Sequence, residues 1–118
     1  MNTVLGRRFE ALAERHLKEM GWRVLDRNVR FVRKEMDLVV EKDGLVAFVE
    51  VKGRSGPAFG HPLEAITRKK RKAISVAAQA WIERSDFRAL SYRFDALSIQ
   101  VRPDGSMELE HVEGAWTE

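Results

Sequence analysis

Apolar positions in the first twenty residues recur with helical spacing. Phe9, Leu12, Ala13, His16, Leu17 and Met20 follow an i, i+3, i+4 rhythm, which predicts a helix over about residues 3–20, and Gly21 is a natural stop. The period then falls to two. Residues 22–31 (WRVLDRNVRF) read as a strand that charge confines to a sheet edge. Residues 35–42 (EMDLVVEK) form a second strand, and Asp43-Gly44 is a strong tight-turn signal. Residues 45–52 (LVAFVEVK) pair back as the second arm of a hairpin, and their near-continuous apolar run predicts a strand covered on both faces. Residues 53–62 (GRSGPAFGHP), with three glycines and two prolines, are expected to form a long loop. Helical spacing returns over about 62–84, with Thr67 as N-cap and Ile74, Ala77, Ala78, Trp81 and Ile82 on the apolar face. Residues 92–101 alternate as a strand, 103–105 turn the chain, and 107–112 make a short last strand.

The order α-β-β-β-α-β-β predicts an α/β (α+β) layered domain: a mixed sheet with helices on its faces, antiparallel through the first three strands. The second helix is long enough to cross the sheet and bring the next strand in parallel. A chain of 118 residues suits one domain, expected over 1–112, with 113–118 an acidic, frayed tail. There are no cysteines, so disulfides, thiolate catalysis and Cys-based zinc sites are excluded. No apolar run approaches the ~20 residues of a membrane helix, and the N-terminal stretch lacks an apolar leader core; the expectation is a cytoplasmic protein with no membrane partner.

Net charge is only +3, yet its distribution is uneven. Residues 1–34 carry nine basic and four acidic side chains, and residues 51–72 carry seven and one. Between them, residues 35–50 hold five acidic against one basic. Two basic segments thus flank an acidic centre, and a pI near 9.5 lies above the mark of ~9 for nucleic-acid-binding domains. Solvated helix faces are the plain alternative.

The acidic centre contains the candidate chemistry. Side chains two apart on a strand share a face, so Glu50 and Lys52 point the same way. A two-residue turn at Asp43-Gly44 puts Asp37 across from Glu50. Two carboxylates so close repel, and one must take up a proton unless a cation compensates. A divalent metal such as Mg²⁺ answers that need, because it accepts one or two carboxylates and keeps waters for substrate or chemistry. Lys52 would stand beside that water, able to stabilise the attacking hydroxide or the charge of a pentavalent phosphorane. Glu10, on the first helix, is a further candidate whose place relative to the sheet the spacing leaves open. A structural ion pair is the competing reading for each of these charges.

In this order, Asp37 followed by Glu50-Val51-Lys52 resembles the D…(D/E)-x-K pattern of the restriction-endonuclease-like nuclease superfamily, whose core is αβββαβ. More closely, FEALAERHL, GWRVLDRNVR, EMDLVV, FVEVKGRS, FGHPLEAI, RKKRKAISVAAQAWI and RFDALSI resemble the YraN family of small bacterial proteins, themselves similar to archaeal Holliday-junction resolvases. The resemblance covers Gly6 to about Ile99. It implies that Asp37 and Glu50 bind Mg²⁺ or Mn²⁺ with the Val51 carbonyl, that Lys52 is the catalytic lysine and that Glu10 is the acidic residue of the first helix. It implies an endonuclease acting on DNA (or RNA), branched or structured forms included, and a homodimer suited to two scissile strands. A module that binds nucleic acid without cutting it is the alternative.

Other charges divide less clearly. Lys69, Lys70, Arg71 and Lys72 cover too wide an arc to face one site; Lys69 and Lys70 are candidate phosphate contacts. Arg54, just after the lysine, is better placed for that role. Arg93 is a further candidate, and it shares a strand face with Asp95, which would either pair with it or support Lys52. His16 reads as a partly buried helix residue rather than a ligand. His61 is a loop residue that could touch substrate, and Phe59, in the same loop, could be a wedge or a lid anchor. Trp22 and Trp81 fit core positions, and Trp116 falls in the tail.

Overall fold

The third strand organises the molecule. In the computed structural model, which describes residues 4–55, 64 and 66–117, β3 (Leu45–Ser55) sits at the centre of a five-stranded sheet ordered β1-β2-β3-β4-β5. Its neighbours are β2 (Lys34–Lys42), antiparallel, and β4 (Ser91–Val101), parallel. β1 (Arg23–Phe31) and β5 (Met107–Trp116) form the two edges, each antiparallel to its neighbour. The mixed α/β fold therefore has the expected element order, with β1 at an edge.

Helices α1 (Val4–Glu19) and α2 (Arg68–Arg84) pack on opposite faces. Strand alternation sorts the apolar residues between them. Ala47, Val49, Leu97 and Ile99 bury against Phe9, Ala13 and Leu17 of α1. Val46, Phe48 and Ala96 bury against Ile74, Ala77, Ala78 and Trp81 of α2. A strand with both faces covered has no room for alternation of polarity, which accounts for the unbroken run in β3.

Local chemistry sets the boundaries. The Thr67 side chain accepts from the Lys70 N–H at 3.2 Å and so caps α2. Gly21, at φ 95°, ends α1, with the Trp22 N–H returning to the Leu17 carbonyl at 2.9 Å. That turn lifts Met20 off the apolar stripe, and it is 55% exposed rather than buried. Arg27 on β1 holds Glu14 of α1 through two bonds of 2.6 and 2.9 Å, and the Trp81 indole donates to Asp26 at 3.1 Å. Each helix is thereby tied to the β1 edge.

The tail departs from expectation. β5 does not stop at residue 112 but runs to Trp116, which is buried and stacked on Phe94 with ring centroids 5.4 Å apart. The register slips between Phe94 and Ala96, where Gly114 adopts φ 59° and donates its N–H to Asp95 at 3.0 Å. This bulge lets an acidic, mostly exposed segment keep its pairing and return a tryptophan to the core. No helix among the described residues is long and apolar enough to cross a membrane.

Candidate functional site

The hairpin register is the expected one. Lys42↔Leu45, Glu41↔Val46, Val40↔Ala47, Val39↔Phe48 and Leu38↔Val49 pair in order, and beyond the last rung Asp37 meets Glu50. Their carboxyl groups share a hydrogen bond. The Val51 N–H donates to Asp37 Oδ2 at 2.7 Å, which fixes that carboxylate at the strand end. Because a strand residue turns its N–H and C=O to the same neighbour, the Val51 carbonyl leaves β3 on the Asp37 side as well.

Glu50 continues the face of Val46 and Phe48, and is only 3% exposed. Its pKa is pushed up to about 8 by burial, then by the hydrogen bond and charge of Asp37; Lys70 opposes the rise. Lys70, on the first turn of α2, places Nζ 2.7 Å from Glu50 Oε2. Lys52 lies on the same face, half-buried, and its pKa is lowered by burial and by its hydrogen bond to the Lys70 ammonium. Burial acts to lower the pKa of Lys70 too, but the Glu50 carboxylate outweighs it and the net shift is upward.

Glu10 approaches from α1. Its pKa is raised by partial burial and by the Asp37 charge, and the Asn28 side chain hydrogen-bonds it. Asn28 is one residue the sequence reading missed. It stands on β1 between the Arg27↔Leu38 and Val29↔Met36 rungs with φ 48°, a conformation asparagine tolerates better than most residues. The helix comes this near because Gly53 has no side chain: a Cβ there would lie 2.2 Å from the Phe9 ring. The groups surround a cavity of about 360 Å³ lined also by Gly6, Glu35 and Gly53.

The structure thus brings together Glu10, Asp37, Glu50, Val51, Lys52 and Lys70. It does not bring in the others. Lys69 is exposed on the outer side of α2. Arg54, two residues past Lys52 on the same strand face, is not among the residues that line the cavity. Arg93 sits on the opposite face, five rungs from Lys52 along the parallel ladder, roughly 16 Å away. There it holds Asp95 through bonds of 2.7 and 2.9 Å and reaches Glu113 at 2.9 Å. Asp95 is accordingly the partner of Arg93, not of Lys52. His16 is partly buried, as expected of a helix residue. Phe59 and His61 lie outside the described residues.

The donor set suits a hard divalent cation. Among the described residues no three His, Cys, Asp or Glu side chains form a ready-made cage. Two carboxylates and a backbone carbonyl beside an open cavity are nevertheless what Mg²⁺ takes when water and substrate complete its shell. The buried carboxyl pair sharing a hydrogen bond marks where positive charge is wanted.

Fold and site together define a small α/β protein with an acidic pair and a lysine at the open end of a hairpin. The chain belongs to the family described as Uncharacterised protein family UPF0102, the YraN family of the resemblance, whose sequence model matches residues 9–99. It is 42% identical to the UPF0102 protein of Chloroherpeton thalassium, covering 83% of this chain and 76% of that one. It is 38% identical to the relative from Chlorobaculum tepidum, covering 95% and 91%, and 36% identical to that from Rhodococcus opacus, covering 98% of both. Among solved structures, Pyrococcus furiosus SfsA in complex with Ca²⁺ matches at 16% identity and a TM-score of 0.37, over 92% of this chain and 62% of that one.

Proposed function

We propose that this protein binds nucleic acid and hydrolyses phosphodiester bonds with Mg²⁺ or Mn²⁺, as a member of the restriction-endonuclease-like superfamily. The observation that carries the reading is the buried Glu50 carboxyl hydrogen-bonded to Asp37, with Lys52 on the same face of an open cavity. Asp37, Glu50 and the Val51 carbonyl would hold the cation. Bound there, it would offset charge building on the phosphoryl group and acidify water.

The remaining work falls to the chain. The Val51 N–H holds Asp37 in place, and α2 closes one side of the site through Lys70. Lys52, its pKa lowered, takes a proton from the attacking water as oxygen bonds to phosphorus; the bond to the leaving oxygen breaks, and that oxygen takes a proton from solvent water. Once protonated, it stabilises the extra negative charge of the transition state. Glu10, oriented by Asn28, would hold a further water at the rim.

The test is a cleavage panel of branched, duplex and single-stranded DNA, and RNA, with Mg²⁺ or Mn²⁺. Metal-dependent cutting is expected, with Lys52→Ala and Glu50→Ala each reducing it by at least about 100-fold. No cleavage of any substrate, or cleavage indifferent to both substitutions, would overturn the proposal.

A further inference from the structure

We propose that Lys70 is the resident counter-ion of the cation position: it neutralises Glu50 while no divalent ion is bound and transfers to a substrate phosphate when one binds. This rests on the metal-dependent reading above and adds a coupling between its two ligands.

Five consecutive basic residues, 68–72, begin α2, yet they meet different surroundings. Arg68, Lys69 and Lys72 are exposed. Arg71 is held by the Ile66 carbonyl at 3.1 Å and lies over the Trp116 ring. Lys70 alone of the five is seen on a buried carboxylate, 2.7 Å from Glu50 Oε2. Its backbone is fixed by the Thr67 cap, but its side chain is 41% exposed and lines the cavity. The ammonium therefore has a route off Glu50 that does not require α2 to move.

Charge balance supplies the reason for it to leave. With both carboxylates free to take a cation and Lys52 neutral, as its role as base requires, Lys70 matches one of the two negative charges. A divalent ion placed between the carboxylates then leaves one positive charge in excess, with Lys70 bonded to one of the same ligands. A phosphodiester, with one negative charge, removes that excess. Cation binding to the protein alone is thus opposed by Lys70, and binding in the presence of phosphate is not. By linkage, each ligand then strengthens the other by the same factor.

A calorimetric titration of Mn²⁺ into the whole chain tests this, using wild type, Lys70→Met, Lys70→Gln and Asp37→Ala. Lys70→Gln keeps a polar side chain and guards against a folding defect in the methionine variant. Both lysine variants should bind Mn²⁺ more tightly than wild type, by about fivefold or more, the low end of ordinary coupling between sites. A merely structural lysine would show no change or a loss. A second measurement follows a labelled DNA duplex by fluorescence anisotropy, with EDTA or with Ca²⁺. Lys70→Met should weaken DNA binding with Ca²⁺ and leave it unchanged with EDTA. If Asp37→Ala abolishes Mn²⁺ binding but the Lys70 variants match wild type, the cation site stands and the counter-ion role falls. If neither wild type nor the Lys70 variants bind Mn²⁺, both readings fall. Equal weakening of DNA binding in both buffers overturns the transfer.

Discussion

Two buried carboxylates lie on opposite faces of the sheet, and their surroundings differ in kind. Asp95 is fully buried and surrounded by donors: two bonds from Arg93, one to the His111 ring at 2.8 Å and one from the Gly114 N–H. Burial would raise its pKa, but these partners together outweigh burial and lower it. Glu50 is almost as buried, yet its nearest carboxyl neighbour is another acid and its cation is a half-exposed lysine, so its pKa rises to about 8. A carboxylate whose lone pairs are all met by donors joins strands together. One left short of positive charge stores a demand for it, and that demand is what makes the Glu50 end the candidate site.

The contrast is most directly broken by removing each acid in turn. Asp95→Ala leaves Arg93 and His111 facing a buried vacancy and should cost about 3–5 kcal/mol in urea unfolding. Glu50→Gln keeps the shape of the side chain and removes a charge that burial and Asp37 both disfavour, while Lys70 can turn to solvent, so its cost should stay near that of one hydrogen bond, about 1 kcal/mol. Equal losses would erase the distinction. A smaller perturbation confined to the Glu50 end is Gly53→Ala, whose methyl must displace the Phe9 ring. It should cost about 1–3 kcal/mol by overpacking and shift NMR signals of Glu10 and Asp37 while leaving those of Asp95 and His111 in place.

Acid and alkaline limbs sharpen the comparison most gently. The folded pKa of Asp95 lies below its ordinary value of 3.8, so its stabilising contribution is complete above that pH and is lost as pH falls through the folded value. For Glu50 the order is reversed: its contribution is complete below 4.5 and is lost as pH rises through about 8. Asp95→Asn should therefore flatten the acid limb of stability against pH, and Glu50→Gln the alkaline limb. Melting temperatures taken without divalent ions would show this, and a single substitution flattening both limbs would refute it.

Much of the Glu50 end was legible because short-range rules govern it. Asp43-Gly44 sets the hairpin register, and register alone brings Asp37 to Glu50. The alternation of β3 then gives Lys52 its face. Lys70 was legible only as one of several basic residues, since which of them reaches Glu50 depends on the pitch of α2 across the sheet. The role of Asn28 depends on one residue's backbone conformation in an otherwise ordinary edge strand. The Asp95 end was harder still. Its partners Glu113 and Gly114 lie in a segment with neither apolar alternation nor helical period, and a bulge, which has no period, is what puts them in place.

The parallel pairing of β3 with β4 also has a consequence for the chain as it is made. Every residue assigned to the site lies between positions 10 and 70, whereas β4 ends at Val101. At a synthesis rate of ~5–20 residues per second, β3 therefore emerges a few seconds before the strand that covers its second edge. During that interval the apolar run from Leu45 to Val49 is an open edge, the kind of segment that recruits other unfinished chains. Glu50 and Lys52, next along the same strand, are the sort of flanking charges that discourage such pairing. Glu50 and Lys52 would thus serve first as gatekeepers of the nascent sheet.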